Sequence, residues 1–511
     1  MLLRETWPYW RMPERRSLLL FGAILGAAVL IGVLAAYKLI LAFAVVLLGI
    51  GAFCMIAQPG IATLIVVWGL YTNAAVIAVK FHHMPFVVGA AFPMLLVIPL
   101  IHYIYVQRRS FIITPVFLLL IVYLLIQVLG TIFTTKGIEL AVPELMTFVI
   151  EGIVLSFLVA NAVRTPEILR RAIWMLLLAG LFMGSISFYQ QITHTFNNNY
   201  GGFAQNDDQG GAPGVITAVD DTALHRMAGP VGEKNRYAQI MMMLVPLGLF
   251  RFWGERSRWL QLFALVCTGF ALIGAALSFS RGGMVGLALM LAIMVVMRYI
   301  KIKQLVIVGV GLLLVLSMFP QLTERLASLQ SLTALFNDEQ SGINQSDNAI
   351  RGRATEMLAA GMVFADHPLI GVGPGMFPYY VEEYAKRIGI RGITTTREAH
   401  ILYLGIAADY GSLGLLCFLA MLFITLRDLI RARKKWMHTR PELANLAASF
   451  MFSIIIYMTT GLFLHMSYQR YFWLMLALAG AASYVANNPT SDEPAADKGK
   501  LMPKPALSTL T

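Results

Sequence analysis

A Ser-Arg-Gly-Gly run, Ser280–Gly283, separates two long apolar stretches in a chain whose residues are 58% hydrophobic. A charge at a helix end in such surroundings needs an anionic partner, a route to water or a task. Arg281 has company. A hydrophilic segment at about 193–234 holds Arg226 and Lys234, with Arg236 just beyond it. A second, at about 321–398, holds Arg325, Arg351, Arg353, Lys386, Arg387, Arg391 and Arg397 and leads through Thr394-Thr-Thr-Arg-Glu-Ala to His400. Guanidinium groups pair bidentately with phosphate oxygens and keep their charge when desolvated, so this concentration suits an anionic ligand. Plainer readings stand beside that one. Arg281 could snorkel to an interface, Lys234 and Arg236 could anchor helix ends, and His400 near Glu398 could be an interfacial hydrogen-bonding residue.

The elements that must position these residues are membrane helices. Only 13% of residues are charged, mean hydropathy is +0.72, and apolar stretches recur from Ser17 to about Ala486. Most are long enough to cross a hydrocarbon core of ~30 Å. Fourteen are expected, at about 17–36, 39–57, 61–79, 86–106, 111–133, 145–163, 172–192, 235–253, 259–280, 282–299, 304–320, 399–424, 444–464 and 471–486. The fold class expected is therefore an all-α polytopic membrane protein of about 14 (12–14) transmembrane helices with two long outer loops carrying short amphipathic helices, loops that the resemblance given below makes periplasmic. The division is 1–192 N-terminal helices, 193–234 loop, 235–320 helices with the Ser-Arg-Gly-Gly junction, 321–398 long loop, 399–486 C-terminal helices, and 487–511 a disordered cytoplasmic tail. The first apolar run lacks a small-residue cleavage site, so no cleavable signal peptide is expected.

Orientation follows from the short basic loops. Arg108 and Arg109, Arg164, Arg170 and Arg171, Arg251, Arg256 and Arg258, and the run Arg427–Lys435 all fall on one side if the N-terminus is inside. The formal net charge of +12 is then accounted for by topology and anionic lipid, with no nucleic acid. Lys38, Lys80, Lys136 and Arg470 fall singly on the other side and read as anchors. Segment 196–221, rich in Asn, Gly and Asp, reads as mobile, whereas 322–336 and 351–365 have helical apolar spacing suited to an interface plane.

Several chemistries are disfavoured. His82 and His83 are adjacent and the other histidines dispersed, which is not metal-ligand spacing. Asp207-Asp208 and Asp220-Asp221 lie in the mobile segment. Cys54, Cys267 and Cys417 fall within spans and read as packing groups. No phosphate-loop or dinucleotide fingerprint occurs. A transporter would carry ionisable residues along a path through the bilayer and often an internal repeat. Here Glu151 and Asp409 are the main acids within spans, and the basic residues gather at one surface, which favours an enzyme.

Four motifs in order carry a family resemblance: Arg226…Gly229…Asn235, Ser280-Arg-Gly-Gly, Pro368-Leu-Ile-Gly-Val-Gly-Pro-Gly, and His400-Ile-Leu-Tyr-Leu…Asp409-Tyr-Gly-Ser-Leu-Gly414. Over about 225–425 the chain resembles the O-antigen ligase / O-antigen polymerase superfamily of bacterial envelope glycosyltransferases. The resemblance implies transfer of a glycan from undecaprenyl diphosphate to an acceptor hydroxyl, on lipid A–core, another glycan or a protein, at the periplasmic face of the inner membrane. It implies that Arg226 and Arg281 hold the diphosphate and that His400 is the base or acceptor-orienting group, with Lys234, Arg236 and Arg397 as further substrate contacts. Diphosphate is a good leaving group that two arginines can neutralise, so neither metal nor cofactor is expected. The histidine ending the long loop leans toward ligase over polymerase.

Overall fold

The computed structural model describes residues 51, 53–206, 225–301, 303–307, 309–310, 345–390, 392–393, 396–466 and 469–488. The expected spans at 17–36 and most of 39–57 and 304–320 lie outside them, as do the amphipathic stretch 322–336, the Asn/Gly/Asp-rich segment from 207 on and the tail from 489. The chain forms two compact units, Met1–Ala62 and Thr63–Thr511, and the candidate site belongs to the second.

The second unit is a helical bundle. In chain order its helices are α1 (Gly60–Tyr71, entering from the first unit), α2 (Ala74–His82), α3 (Phe86–Val106), α4 (Pro115–Ile132), α5 (Ile138–Ala162) and α6 (Pro166–Thr193). Then come α7 (Lys234–Gly254), α8 (Arg258–Leu277), α9 (Arg281–Val296), α10 (Gln345–Asp366), α11 (Val381–Ile388), α12 (Leu402–Trp436), α13 (Pro441–Thr460) and α14 (Gln469–Asn487). A two-stranded antiparallel ribbon pairs Gln205 with Gly229 and Asn206 with Met227. Local sequence sets several starts. Thr114-Pro115 and Thr165-Pro166 each put a hydroxyl cap before a proline at the first helical position, and the threonine oxygens accept from Phe117 N and Ile168 N.

Among the described residues seven helices are long and apolar enough to cross a membrane, and eight if the bent pair α1–α2 counts as one span. That pair, expected as a continuous span at 61–79, turns by 59° where Thr72 and Asn73 leave the helix. Asn73, left-handed at φ 61°, donates to Pro230 O at 2.8 Å and accepts from Arg470 Nη1 at 2.9 Å, so the break is held by polar contacts. Arg470 also pairs with Glu151 at 3.3 Å, which corrects its expected role as a surface anchor. Helices α7 and α14 fall outside the apolar seven for a physical reason. Every residue of α7 from Arg236 to Arg251 is buried by neighbouring helices, so its surface need not match lipid. Exposed large apolar side chains such as Phe86, Trp259 and Phe423 lie instead on other helices.

The expected long loop carries its own small core. Ala359, Ala360 and Val363 of α10 pack with Met376, Phe377 and Val381, and this cluster reaches Ala141 of α5 and Ala408 of α12. It is tied to a break in α12, where Gly411 takes φ 65°, ψ −165°. Across the break the backbone bonds to the 368–373 loop: Val372 N to Ala408 O at 3.0 Å, Gly373 N to Asp409 O at 2.9 Å, Ser412 N to Pro368 O at 2.7 Å and Leu413 N to Leu369 O at 3.2 Å. A Cβ at Gly411 would overlap the Leu369 carbonyl, and one at Gly371 would overlap Asp409. Gly411→Ala is therefore expected to destabilise by at least about 2 kcal/mol, read as a lower melting temperature in detergent. Gly480→Ala, where an added Cβ meets nothing within 4 Å, is expected to leave the melting temperature unchanged or raise it.

Candidate active site

The ends of six helices meet on one side of the bundle: the starts of α7, α9, α12 and α14 and the ends of α8 and α13. The Ser-Arg-Gly-Gly motif forms the α8–α9 junction. Phe279 turns the chain at φ 52°, and the Ser280 hydroxyl caps α9 by accepting from Gly283 N at 3.3 Å. Arg226 reaches this junction from the ribbon and donates from Nε to Ser278 O and from Nη2 to Phe279 O, both at 3.0 Å. Its charge sits where the carbonyl end of α8 is negative. Arg281 opens α9, half-buried, with no hydrogen-bond or ion-pair partner among the described residues. The glycines after it are a packing requirement: a Cβ at Gly282 would lie 2.8 Å from Phe463 Cβ.

Phe463 belongs to the 461–466 turn, which gathers the rest of the site. Gly461 O accepts from Leu402 N at 2.8 Å, fixing the start of α12. Arg236 is 1% exposed and donates to Gln239 Oε1 and to the His465 carbonyl, so its guanidinium holds the turn from inside. Lys234 is the first residue of α7, after the Glu233 cap. The His465 ring stands edge-on to His400, centroids 5.8 Å apart.

His400 is fixed from the other side. Its Nδ1 lies 2.8 Å from Glu356 Oε2 and 3.2 Å from Glu398 O. Glu356, on α10 and 1% exposed at its side chain, also pairs with Arg397 Nη1 at 3.2 Å. The Glu398 carbonyl can only accept, so its bond to Nδ1 places the proton on that nitrogen and leaves Nε2 with the lone pair, while the Glu356 carboxylate stands beside the ring as a charge partner. Among the expected site residues, then, the structure brings Arg226 and Arg281 together at one junction and Arg236 and His400 together through the 461–466 turn. Arg397 joins His400 through Glu356. Sequence reasoning missed Glu356 and His465. For Glu356 one sign existed: an acid on the helix face that also carries Ala359, Ala360 and Val363. His465 sits in a short connector and carried no such sign.

A cavity of about 450 Å³ opens beside the histidine pair. Its wall includes four carboxylates, Glu144, Glu151, Glu398 and Asp409, with Tyr379 and Arg470. Glu144 accepts from Gln469 Nε2, Glu151 pairs with Arg470, and Asp409 Oδ1 accepts from Phe377 N at 2.8 Å. The Glu398 carboxyl has no hydrogen-bond partner among the described residues. Burial, reinforced by the nearby Glu144 charge and opposed by His400 and Arg236, raises its pKa to about 7. Burial and the neighbouring Arg236 and His400 hold the His465 imidazole well below its ordinary pKa, so it stays neutral. Among the described residues no three His, Cys, Asp or Glu side chains are grouped to hold a metal ion. A second cavity, about 310 Å³ at the opposite end of the bundle, is lined by Arg170, Arg251, Glu255 and Glu442, and these charges pair with one another.

The fold and site define a multi-pass α-helical membrane protein with a polar, histidine-bearing centre at one end of its bundle. Residues 263–419 match the family model described as O-antigen ligase (Wzy_C), so this segment of the chain is similar to that family. The matched segment contains Arg281, Glu356, Arg397, Glu398 and His400, while Arg226, Lys234, Arg236 and His465 are brought to them from outside it. No curated protein matches the chain.

The Glu398 carboxyl has a consequence for stability. Its folded pKa of about 7 exceeds the ordinary 4.5, so the folded state binds the proton more tightly. The stabilisation is complete below about pH 4.5 and lost as pH rises through about 7. The melting temperature of the wild type should fall across that window, and Glu398→Gln should remove this part of the fall; an unchanged slope in the variant would assign it to other groups.

Proposed function

We propose that the chain is an O-antigen ligase-like glycosyltransferase that moves a glycan from undecaprenyl diphosphate to an acceptor hydroxyl at the periplasmic face of the inner membrane. The observation that carries the reading is the His400 imidazole held by buried Glu356, joined through the 461–466 turn to the Arg281 junction. Arg281, whose guanidinium has no partner among the described residues, takes the diphosphate, and Arg226, anchored on the Ser278 and Phe279 carbonyls, adds charge from a fixed position. The acceptor oxygen attacks the anomeric carbon as the bond to the diphosphate oxygen breaks. The diphosphate leaves with the electron pair, and the acceptor proton passes to His400 Nε2. Glu356 stabilises the imidazolium so formed. The step needs no metal or cofactor, because the developing negative charge falls on oxygens facing guanidinium groups. Lys234 and Arg397 add positive potential, whereas Arg236 serves by holding the turn. The same residues would serve a polymerase or a protein O-oligosaccharyltransferase, which differ in the acceptor.

The test is a glycan assay in a deletion strain complemented with wild type or variants. Arg281→Ala should lower transfer by roughly 10²–10³-fold. Long polymer stranded on the carrier and rescued by wild type means ligase, and stranded single repeats mean polymerase; a glycan profile that never changes rejects the transferase reading. Glu356→Gln should lower the rate at least about tenfold and move the pH at which activity rises, with donor binding retained. Lost donor binding at normal pH dependence would make Glu356 purely structural.

A further inference from the structure

The cavity of about 310 Å³ at the far end of the bundle takes no part in the transfer reaction. The end of α7 and the starts of α6, α8 and α13 wall it. Its ionisable groups are Arg170, Arg251, Glu255, Arg256 and Glu442. Two of the three arginines are matched by acids: Arg170 Nη2 lies 2.8 Å from Glu442 Oε2, and Arg251 pairs with Glu255. One positive charge is left over.

Arg256 is that charge. It is exposed and has no hydrogen-bond or ion-pair partner among the described residues. Arg251 is only 8% exposed, yet its Nε has no hydrogen-bond partner among the described residues, where a buried guanidinium normally fills its donors. The first turn of α8 borders the same volume. Ser257 is its N-cap, but the hydroxyl makes no capping bond, and the amides of a first turn have no intrahelical acceptor. A buried guanidinium, an exposed one, a hydroxyl and the positive end of a helix thus all lack an acceptor at one cavity. An anion supplies it.

The surroundings select the kind of anion. Leu260 carries the cavity wall onto α8, and beside it Trp259, Leu262, Phe263 and Val266 are exposed. Their spacing of i, i+3, i+4 and i+7 makes one apolar stripe. Trp259, 80% exposed where the stripe meets the polar end, has the position tryptophan takes at a membrane interface. A phosphodiester carries the single negative charge that matches the single excess positive one. Free phosphate carries more charge at neutral pH and has nothing to lay on the stripe.

We propose that this cavity binds an acidic phospholipid, its phosphodiester held by Arg256, Arg251 and the first turn of α8 and its hydrocarbon lying along Trp259, Leu262 and Val266. The inference is independent of the transferase reading, because the cavity and the histidine centre lie at opposite ends of α7, a helix of 21 residues and so about 30 Å long. Its consequence is mechanical. The lipid braces the α7–α8 connection, and both helices run to the reacting centre, α7 carrying Arg236 and α8 ending at the Arg281 junction.

The test uses the purified full chain, stripped of lipid in detergent. Phosphatidylglycerol, phosphatidylcholine and inorganic phosphate are compared by native mass spectrometry and by melting temperature. Phosphatidylglycerol is expected to bind at least about tenfold more tightly than phosphatidylcholine and to raise the melting temperature. Arg256→Glu and Arg256→Gln should each weaken that binding at least about tenfold, whereas Arg258→Glu, at an exposed neighbour outside the cavity wall, should leave it within about twofold. Lipid-free melting temperatures should be unchanged, and Arg256→Gln decides if the charge reversal lowers its own. Equal losses at 256 and 258 mean diffuse attraction to a basic surface and overturn the site, as does equal binding of the two lipids. Stabilisation by inorganic phosphate as large as by phosphatidylglycerol overturns the lipid as occupant.

Discussion

The backbone exchange between the broken helix α12 and the 368–373 loop is the constraint on which the site depends. A helix interrupted inside a bundle leaves carbonyl and amide groups without partners, and in a water-poor interior each such group is costly. Here the loop supplies them, with four bonds across the break from Ala408 to Leu413. The exchange docks the small core of α10 and α11 onto the bundle. That docking brings Glu356 up to His400, and it aims Asp409 at the backbone amide of Phe377. Glycine is required at 371 and 411 because two backbones approach closer than any Cβ permits.

A second organising feature is the division of labour among the arginines. A cluster of guanidinium groups read from sequence suggests a set of equivalent ligand contacts, but the structure gives them different tasks. Arg236 is inside, holding a turn; Arg226 caps a helix end; Arg470 joins α14 to α5 and to the break at Asn73. Arg281, at the mouth of α9, has no partner among the described residues. Desolvation accounts for Arg236, which at 1% exposure persists as a charge because it is hydrogen-bonded, whereas Arg226, Arg281 and Arg470 are all partly exposed and differ in the acceptors their neighbours offer.

The histidine pair sits between the arginine junction on one side and the carboxylate-lined cavity on the other. Glu356, buried, lies outside that cavity and pairs with both Arg397 and His400.

The sequence by itself determined the class. Apolar length and the placement of basic loops declare a multi-pass helical membrane protein, and the ordered motifs around Arg281, Pro368 and His400 mark the segment that the family model matches. These signals are local: a helix long enough to span, a serine that caps, a glycine that turns. The sequence could not show that the stretch 61–79 breaks at Asn73, because the partners that stabilise the break, Pro230 and Arg470, are far along the chain. Nor could it show that α7, which carries Arg236, Gln239 and Arg251, is buried along its whole length from Arg236 to Arg251. Tertiary structure alone decided which arginine stays available, that Glu356 meets His400, and that His465 stands beside it. Each of these depends on contacts between residues tens to hundreds of positions apart, where neither periodicity nor spacing carries information and only packing and the pairing of buried charges select the arrangement.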